Sequence, residues 1–391
     1  MEFSVYVHVP YCRVQCPYCT FYTLPLLEEG ARTQRFLKAL RREWERRVGP
    51  RLGRGERLAT LYLGGGTPSD VPAPALGAFL AALGEDLQGG LSALDEVTVE
   101  CNPESATPDL LDTLLGAGVG RLSLGVQALD DRDLRLLGRA ASAADNRRAL
   151  AAVAAAGFRS WNADIIIGVP GSGAARLRAA LGELCDRGAP HLSLYCLELP
   201  PGRAKRFGDP QDDASRARQA RLYELASAWV EAHGYRHYEI SNAARPGHFS
   251  IHNTAYWLGR EYVGLGPGAH SLESEVRRAN LPQMGRYLAA LEAGAEPPSQ
   301  EEVLTAEMRR RELVLLGLRL AEGLSPQDVG SPELLERLAA EGLGRLEGGR
   351  FRLTPRGWLV SDSIVLQLIA PLGAVPERVD KEVLPSLHLA G

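Results

Sequence analysis

The chain of 391 residues is long enough for two or three domains of ordinary size, or for one α/β barrel with additions. Its composition, 45% hydrophobic and 24% charged, is that of a globular protein and excludes the disordered and fibrous classes. With 44 basic against 48 acidic side chains the net charge is -4, so no general attraction to nucleic acid or to an anionic membrane is expected.

No apolar run approaches the roughly 18 residues that a membrane span needs, and the N-terminus lacks the basic start of a signal peptide. We therefore expect a cytoplasmic protein that meets a membrane only peripherally and through partners. In a reducing compartment, its six cysteines are expected to be metal ligands or buried thiols and not disulfides.

The first 200 residues alternate short β-branched segments with longer alanine- and leucine-rich segments of helical periodicity. Strands are predicted at 3–9, 58–63, 96–101, 121–126, 161–167 and 191–197. Helices are predicted at 33–48, 72–83, 108–115, 143–156 and 174–186, each bounded by Gly or Pro. Repeated βα units predict a parallel α/β sheet curved into a partial (β/α)6 barrel, with its functional groups at the carboxyl ends of the strands.

The pattern changes after a predicted helix at 214–232, because residues 233–270 are rich in aromatic residues and histidine without clear periodicity. Helices at 302–321, 332–341 and 355–369, around a strand pair within 345–353, predict a smaller, mainly helical, winged-helix-like C-terminal domain. Its 11 Lys and Arg against 14 Asp and Glu argue against a nucleic-acid interface. We predict a barrel at 1–235, a connecting region at 236–299 and a C-terminal domain at 300–391.

Three cysteines, Cys12, Cys16 and Cys19, form a C-x3-C-x2-C motif directly after the first predicted strand. Thiolates are soft ligands that suit iron–sulfur clusters or zinc. A structural zinc site takes four protein ligands, whereas a cubane held by three cysteines leaves one iron open for chemistry. The motif favours a 4Fe-4S site, and zinc or unliganded thiols are the alternatives.

With Tyr18 before its last cysteine and a six-unit parallel barrel around it, this motif resembles the radical S-adenosylmethionine (SAM) superfamily. The resemblance implies that the open iron chelates SAM, and that an electron from the cluster splits SAM to give a 5'-deoxyadenosyl radical. It also assigns a set of residues to SAM binding: Tyr6, Gly65, Gly66, Thr67, Glu100, Gln127, Arg139 and Asp164. At the glycines, missing side chains would let backbone N–H groups approach the ligand.

Longer motifs restrict the resemblance to one branch of the superfamily. Tyr6-Val-His-Val-Pro-Tyr-Cys12, Arg121-Leu-Ser-Leu-Gly-Val-Gln127 and Leu353-Thr-Pro-Arg-Gly357 are similar to the branch that contains oxygen-independent coproporphyrinogen III oxidase and the HemW-type heme chaperones. The oxidase has a further cysteine where this chain has Phe21, and a longer segment than the eleven residues before Cys12. The sequence from His252 to Trp257 matches the H-N-x-x-Y-W motif of the chaperones.

The chaperone resemblance implies heme binding, with His252 as the heme ligand. Neutral imidazole is a common axial ligand of heme iron, and Tyr256 and Trp257 offer flat apolar surfaces to a porphyrin. A histidine among aromatic residues is, however, more often a packed and hydrogen-bonded core residue. His237, His248 and His270 are alternative ligands.

The resemblance further implies delivery of heme to client hemoproteins such as respiratory enzymes, and it is compatible with a homodimer. No catalytic residue is predicted for this function. The alternative function is that of the oxidase, an enzyme that uses the deoxyadenosyl radical to decarboxylate coproporphyrinogen III to protoporphyrinogen IX.

Overall fold

The computed structural model describes residues 1–26, 30–200, 207, 212–329 and 332–369. The strands are β1 (Glu2–Val9), β2 (Tyr11–Cys12), β3 (Leu24–Pro25), β4 (Arg57–Gly65), β5 (Glu96–Cys101), β6 (Arg121–Gln127), β7 (Ser160–Ile167), β8 (His191–Cys196), β9 (Arg236–Glu239), β10 (Asn242–Ala244), β11 (Tyr262–Leu265), β12 (His270–Glu273), β13 (Val276–Asn280), β14 (Ser299–Val303), β15 (Gly344–Glu347) and β16 (Arg350–Leu353).

The helices are α1 (Ala31–Arg47), α2 (Gly49–Gly53), α3 (Ala73–Gly84), α4 (Pro108–Gly116), α5 (Asp131–Leu137), α6 (Ala143–Ala156), α7 (Ala174–Asp186), α8 (Asp213–Ala232), α9 (Ile251–Trp257), α10 (Met284–Glu292), α11 (Ala306–Gly317), α12 (Pro326–Val329), α13 (Pro332–Ala340), α14 (Pro355–Trp358) and α15 (Ser361–Ile369). Short 3-10 turns lie at Pro68–Asp70, Leu91–Ala93 and Pro103–Ser105. No helix among the described residues is both long and apolar enough to cross a membrane.

A twelve-stranded sheet organises the molecule, in the order β14-β13-β12-β11-β1-β4-β5-β6-β7-β8-β10-β9. Its central strands, from β11 through β8, are parallel neighbours. The six predicted βα units are all present, which confirms the predicted α/β class with its parallel sheet. Parallel strands place their carboxyl ends at one edge of the sheet, and the candidate site lies at that edge.

The region from 233 to 303 differs from the prediction. It contributes β11 as a further parallel strand beside β1, and antiparallel strands at both edges of the same sheet. These strands have three to five residues each, too few to show periodicity in the sequence. The predicted helix at 302–321 is therefore shorter, because β14 takes its start, and the predicted helix at 355–369 is divided into α14 and α15. The three domain boundaries stay predictions, and residues 370–391 lie outside the described residues.

The two faces of the sheet differ in polarity. One face is apolar and packs into the main core with the surrounding helices, through residues such as Val5, Val7, Leu61, Leu63, Val97, Val99, Leu122 and Leu124. The other face carries the residues that alternate with these along the strands, and several of them are polar and hydrogen-bond to one another. Thr60 donates to Ser4 at 2.9 Å, and Asn162 donates to Ser123 at 2.8 Å. Helix α9 packs against β4 on this polar face.

Candidate functional site

The cysteine motif lies in the loop that follows β1. Cys16 is buried, whereas Cys12 and Cys19 are partly exposed. The Cys19 N–H donates to Cys16 O at 3.1 Å, and Arg13 forms an ion pair with Asp70 with 2.9 Å between Nε and Oδ1. Burial raises the pKa of the Cys12 thiol to about 12, and the charge of Cys19 adds to the rise. The fold thus presents the three thiols together at the carboxyl end of β1.

The glycine run after β4 packs tightly against this loop. The Gly66 N–H donates to Val9 O at 2.8 Å, and the Thr67 N–H donates to Tyr11 O at 2.7 Å. A Cβ at Gly66 would lie 2.5 Å from Val9 O, and Gly65 has a φ of 100°. The Gly65 N–H also has a protein partner, because it donates to Glu100 Oε2 at 3.0 Å. The glycines are therefore required by the approach of the cysteine loop, and none of these three N–H groups is left for a ligand.

A hydrogen-bond chain connects two of the cysteines. Thr67 Oγ1 lies 3.3 Å from Cys12 Sγ and accepts a hydrogen bond from Asn102 Nδ2 at 2.9 Å. Asn102 Oδ1 accepts one from Arg139 Nη2 at 2.6 Å, and Arg139 Nη1 lies 3.7 Å from Cys16 Sγ. Thr67 and Arg139 are predicted SAM residues, whereas Asn102, which joins them, is not among the predicted residues.

Two partly buried carboxylates line the cavity side of the sheet, Glu100 near the end of β5 and Asp164 within β7. Glu100 accepts hydrogen bonds from the Tyr62 hydroxyl at 2.9 Å and from Gly65, and Asp164 accepts one from Asn162 at 2.6 Å. Burial raises the pKa of Glu100 to about 7, helped by the charge of Asp164, and burial raises the pKa of Asp164 to about 6. A cationic ligand beside them would favour their ionised forms.

Gln127 and Tyr6 complete the predicted SAM residues. Gln127 ends β6 with a φ of 65°, a left-handed conformation that is uncommon outside glycine and frequent at functional sites. Tyr6 is buried, with its hydroxyl 3.2 Å from His8 Nδ1 and its ring near that of Tyr62. Burial, and then the charge of Glu100, raise the pKa of Tyr6 well above its usual value.

A cavity of about 720 Å³ opens at the carboxyl ends of the strands. Most of the predicted cluster and SAM residues line it together: Cys12, Cys16, Cys19, Gly65, Gly66, Thr67, Glu100, Gln127, Arg139 and Asp164. Tyr6 and His252 do not line it, and neither does any other histidine among the described residues.

Later parts of the chain also contribute to the cavity wall, and they include several aromatic and apolar side chains among polar ones. Helix α9 contributes Tyr256 and Trp257, and the C-terminal region contributes Trp358 together with Leu359 and Val360. The Trp358 indole N–H donates to Leu318 O at 3.0 Å, which fixes its ring. The cavity therefore joins a polar region beside the cysteines to an aromatic region formed by α9 and α14.

His252 lies behind this wall, on the polar face of the sheet. It is 1% exposed, with Nδ1 2.7 Å from Thr60 Oγ1 and Nε2 3.1 Å from the Tyr256 hydroxyl. Its ring stacks on Tyr62, with 5.1 Å between centroids. Burial, and then the charge of Arg121, lower the pKa of His252 to about 3, so its imidazole is neutral. Heme ligation by His252 stays a prediction, and in this structure both of its ring nitrogens have protein partners.

Residues 6–183 match the family described as the radical SAM superfamily, and residues 304–360 match the HemN C-terminal domain. A protein of Mycobacterium tuberculosis (strain ATCC 25618 / H37Rv) named heme chaperone HemW is 36% identical over 377 residues, which cover 94% of this chain and 95% of that protein. The chain belongs to the HemW family of radical SAM proteins. Another relative, the mitochondrial radical S-adenosyl methionine domain-containing protein 1 of Mus musculus, is 33% identical over 94% of this chain and 88% of its own.

The fold of this HemW-family chain is also that of a solved enzyme. The structure of coproporphyrinogen III oxidase (HemN) from Escherichia coli, described as a radical SAM enzyme, superposes with a TM-score of 0.77 and 22% identity, over 95% of this chain and 90% of that one. Membership of the radical SAM superfamily implies a 4Fe-4S cluster and SAM as cofactors. All predicted cluster and SAM residues lie in the matched span 6–183, whereas His252 lies between the two matched spans.

Asn102 and Glu239 are among the cavity residues of this HemW-family chain that its sequence does not predict. Glu239 ends β9, is fully buried and accepts the Ser241 N–H at 3.0 Å, and burial raises its pKa to about 7. Asn102 directly follows β5, so its position after a parallel strand is a signal that could have found it. Glu239 offers no such signal, because β9 has only four residues.

Proposed function

We propose that this protein is a heme chaperone, which binds heme in the cavity and passes it to client hemoproteins such as respiratory enzymes. In this proposal Cys12, Cys16 and Cys19 hold a 4Fe-4S cluster, with SAM at its open iron. The residues assigned to SAM that line the cavity are Gly65, Gly66, Thr67, Glu100, Gln127, Arg139 and Asp164. Tyr6 does not line the cavity, so its contact with SAM stays a prediction. A homodimer and a cytoplasmic location also stay predictions.

The donor set fits a cubane. The described residues contain no group of three His, Cys, Asp or Glu side chains placed to hold one metal ion. A cubane needs no such convergence, because each of its thiolates binds a different iron. Thr67 and Arg139 stand beside Cys12 and Cys16 as hydrogen-bond donors, and such donors stabilise thiolates.

The polar region of the cavity fits SAM. When bound, the cluster and SAM supply one-electron chemistry, and the protein orients them and limits access of water. Arg139 is the one guanidinium beside the cysteines among the described cavity residues, and it is suited to a carboxylate. Glu100 and Asp164 are suited to hydroxyl donors and to the positive charge of a sulfonium.

Heme binding rests on one observation: the cysteine loop, the Tyr256–Trp257 pair and Trp358 all line the same cavity. Aromatic rings pack well against the flat apolar face of a porphyrin. The curated relatives named heme chaperone HemW match over both parts of the chain, the barrel and the C-terminal domain. These observations support the proposal that heme binds next to the cluster and SAM.

The test is an anaerobic heme titration of the cluster-loaded protein, followed in the Soret region. We expect saturable binding that Trp257→Ala weakens about tenfold or more, because a porphyrin contact with this ring is lost. Trp229→Ala is the matched control, because Trp229 stacks on His233 and does not line the cavity. Cys16→Ala should lose the cluster, measured as iron and sulfide content.

If the wild-type protein does not bind heme, or if Trp229→Ala weakens binding as much as Trp257→Ala, the proposed site is wrong. The shared fold with the HemN oxidase makes coproporphyrinogen III the substrate to try next. Release of carbon dioxide from coproporphyrinogen III at enzymatic rates would show that the protein is the oxidase and not a heme chaperone.

A further inference from the structure

We infer that His252 is a positioning residue, which holds Tyr256 in the wall of the heme cavity, and that it does not bind the iron. This inference rests on the proposed heme function and specifies how the H-N-x-x-Y-W motif serves it. The motif then acts through its two aromatic residues, which line the cavity, while its histidine supports them from behind.

The hydrogen bonds around His252 fix which ring nitrogen carries the proton. The Thr60 hydroxyl donates to Ser4 Oγ at 2.9 Å, so its oxygen can accept from His252 Nδ1, which lies 2.7 Å away. In the neutral imidazole the other nitrogen, Nε2, is then an acceptor, and the Tyr256 hydroxyl at 3.1 Å is its donor. The lone pair that an iron would need is therefore already used by Tyr256.

The position of α9 keeps this arrangement in place. The Glu96 carboxylate accepts the Ile251 N–H at 2.7 Å and the Ser250 hydroxyl at 3.0 Å, and Ser250 Oγ accepts the Asn253 N–H at 3.2 Å. Glu96 and Ser250 are both buried. Turning the His252 ring toward the cavity would break its two ring contacts, and moving α9 to bring it there would break the Glu96 and Ser250 contacts as well. Each buried group left unpaired is costly.

Tyr256 stands between His252 and the cavity. Its ring meets that of His252 edge to face at 4.9 Å, and that of Tyr262 in the same way at 4.5 Å. On its other side His252 stacks on Tyr62, whose hydroxyl donates to Glu100 at 2.9 Å. His252 therefore joins the aromatic wall to a carboxylate in the polar region of the same cavity.

The experiment compares heme affinity and heme spectra for the cluster-loaded full-length protein and three variants. His252→Gln removes the imidazole but keeps an amide oxygen that can accept from Tyr256. His252→Ala removes the imidazole and leaves no acceptor in its place. His233→Gln is the control, because His233 is exposed directly after α8 and does not line the cavity. Melting temperature and iron content establish that each variant is folded and loaded.

If His252 positions Tyr256, His252→Gln should keep the wild-type affinity within about twofold, and the Soret maximum and ferric EPR spectrum should not change. His252→Ala should weaken binding about tenfold, which corresponds to the loss of a placed aromatic contact, again without a change of spectrum. His233→Gln should behave as the wild type. A shifted Soret maximum or a change of spin state in His252→Gln, absent from the control, would show that His252 is a ligand and would overturn the inference.

Tyr256→Phe keeps the test decisive if the His252 variants do not fold. It removes the hydroxyl that occupies Nε2 but keeps the ring. A positioning role predicts weaker heme binding, because the ring is less well held, whereas a ligand role predicts equal or tighter binding, because Nε2 is freed. Failure of the wild-type protein to bind heme is a separate result, which refutes the proposed function itself.

Discussion

The carboxyl group of Glu100 should make the stability of the SAM-free protein depend on pH. Its pKa is raised from 4.5 to about 7, chiefly by burial. The folded state therefore keeps a proton that the unfolded state has already released. The resulting stability is fully present below pH 4.5 and is lost as the pH rises through about 7. At about 1.4 kcal/mol per pKa unit, this loss is about 3 kcal/mol.

The measurement is the free energy of unfolding in urea, under anaerobic conditions, at several values between pH 5 and pH 8.5. The perturbation is Glu100→Gln, which removes the titration. We expect the stability of the wild type to fall by about 2.5 kcal/mol more than that of the variant across this range, since a small part of the effect is already lost at pH 5. Asp164 also titrates in this range, and its charge raises the pKa of Glu100, so the variant keeps part of the slope.

Glu292→Gln is the control, because Glu292 is a surface residue paired with Arg35 and lies outside the cavity. Saturating SAM should reduce the pH dependence of the wild type, since its hydroxyl groups and positive charge favour ionised Glu100. Equal pH slopes for the wild type and Glu100→Gln would refute the reasoning, because they would mean that Glu100 has the same pKa in the folded and unfolded states.

Two further substitutions test the geometry around the cysteines. Gly66→Ala should cost about 1–3 kcal/mol and lower the iron content after reconstitution, because its Cβ would meet backbone atoms of the cysteine loop; full iron content at unchanged melting temperature would contradict this. Asn102→Leu should lower the reduction potential of the cluster by about 60 mV, a tenfold change in the reduction equilibrium, because Thr67 and Arg139 lose the amide that orients them toward sulfur. An unchanged potential at full iron content would show that Asn102 does not act on the cluster.

The barrel could be predicted because its strands are long, apolar and β-branched, and because each is followed by a helix of clear periodicity. The position of the site follows from the same pattern, because residues at the ends of parallel strands, such as Glu100 on β5 and Gln127 on β6, converge at one edge of the sheet. The short strands β9 to β14 could not be predicted, because segments of three to five residues carry no periodic signal.

The environment of His252 lies beyond what its motif can predict. The spacing of H-N-x-x-Y-W places His252 and Tyr256 one helical turn apart, so they lie on the same face of α9. It does not say that this face meets Thr60 on β4, which is a tertiary contact between distant parts of the chain. The role of Asn102 could not be predicted for the same reason, since its partners Thr67 and Arg139 become its neighbours only in the folded protein.

The place of β1 in the sheet makes an N-terminal fragment without β11 incomplete. β1 pairs with β4 on one side and with β11 on the other, and β11 begins about 250 residues later in the sequence. A fragment that ends with the span 6–183 would therefore leave β1 without a partner strand along the edge that Ser4 to Val7 form, just before the cysteine loop. Exposed edges of this kind pair with other chains and cause aggregation. The edge of β1 that leads into the cysteine loop, although encoded near the N-terminus, is therefore paired only once the chain has been made as far as Leu265.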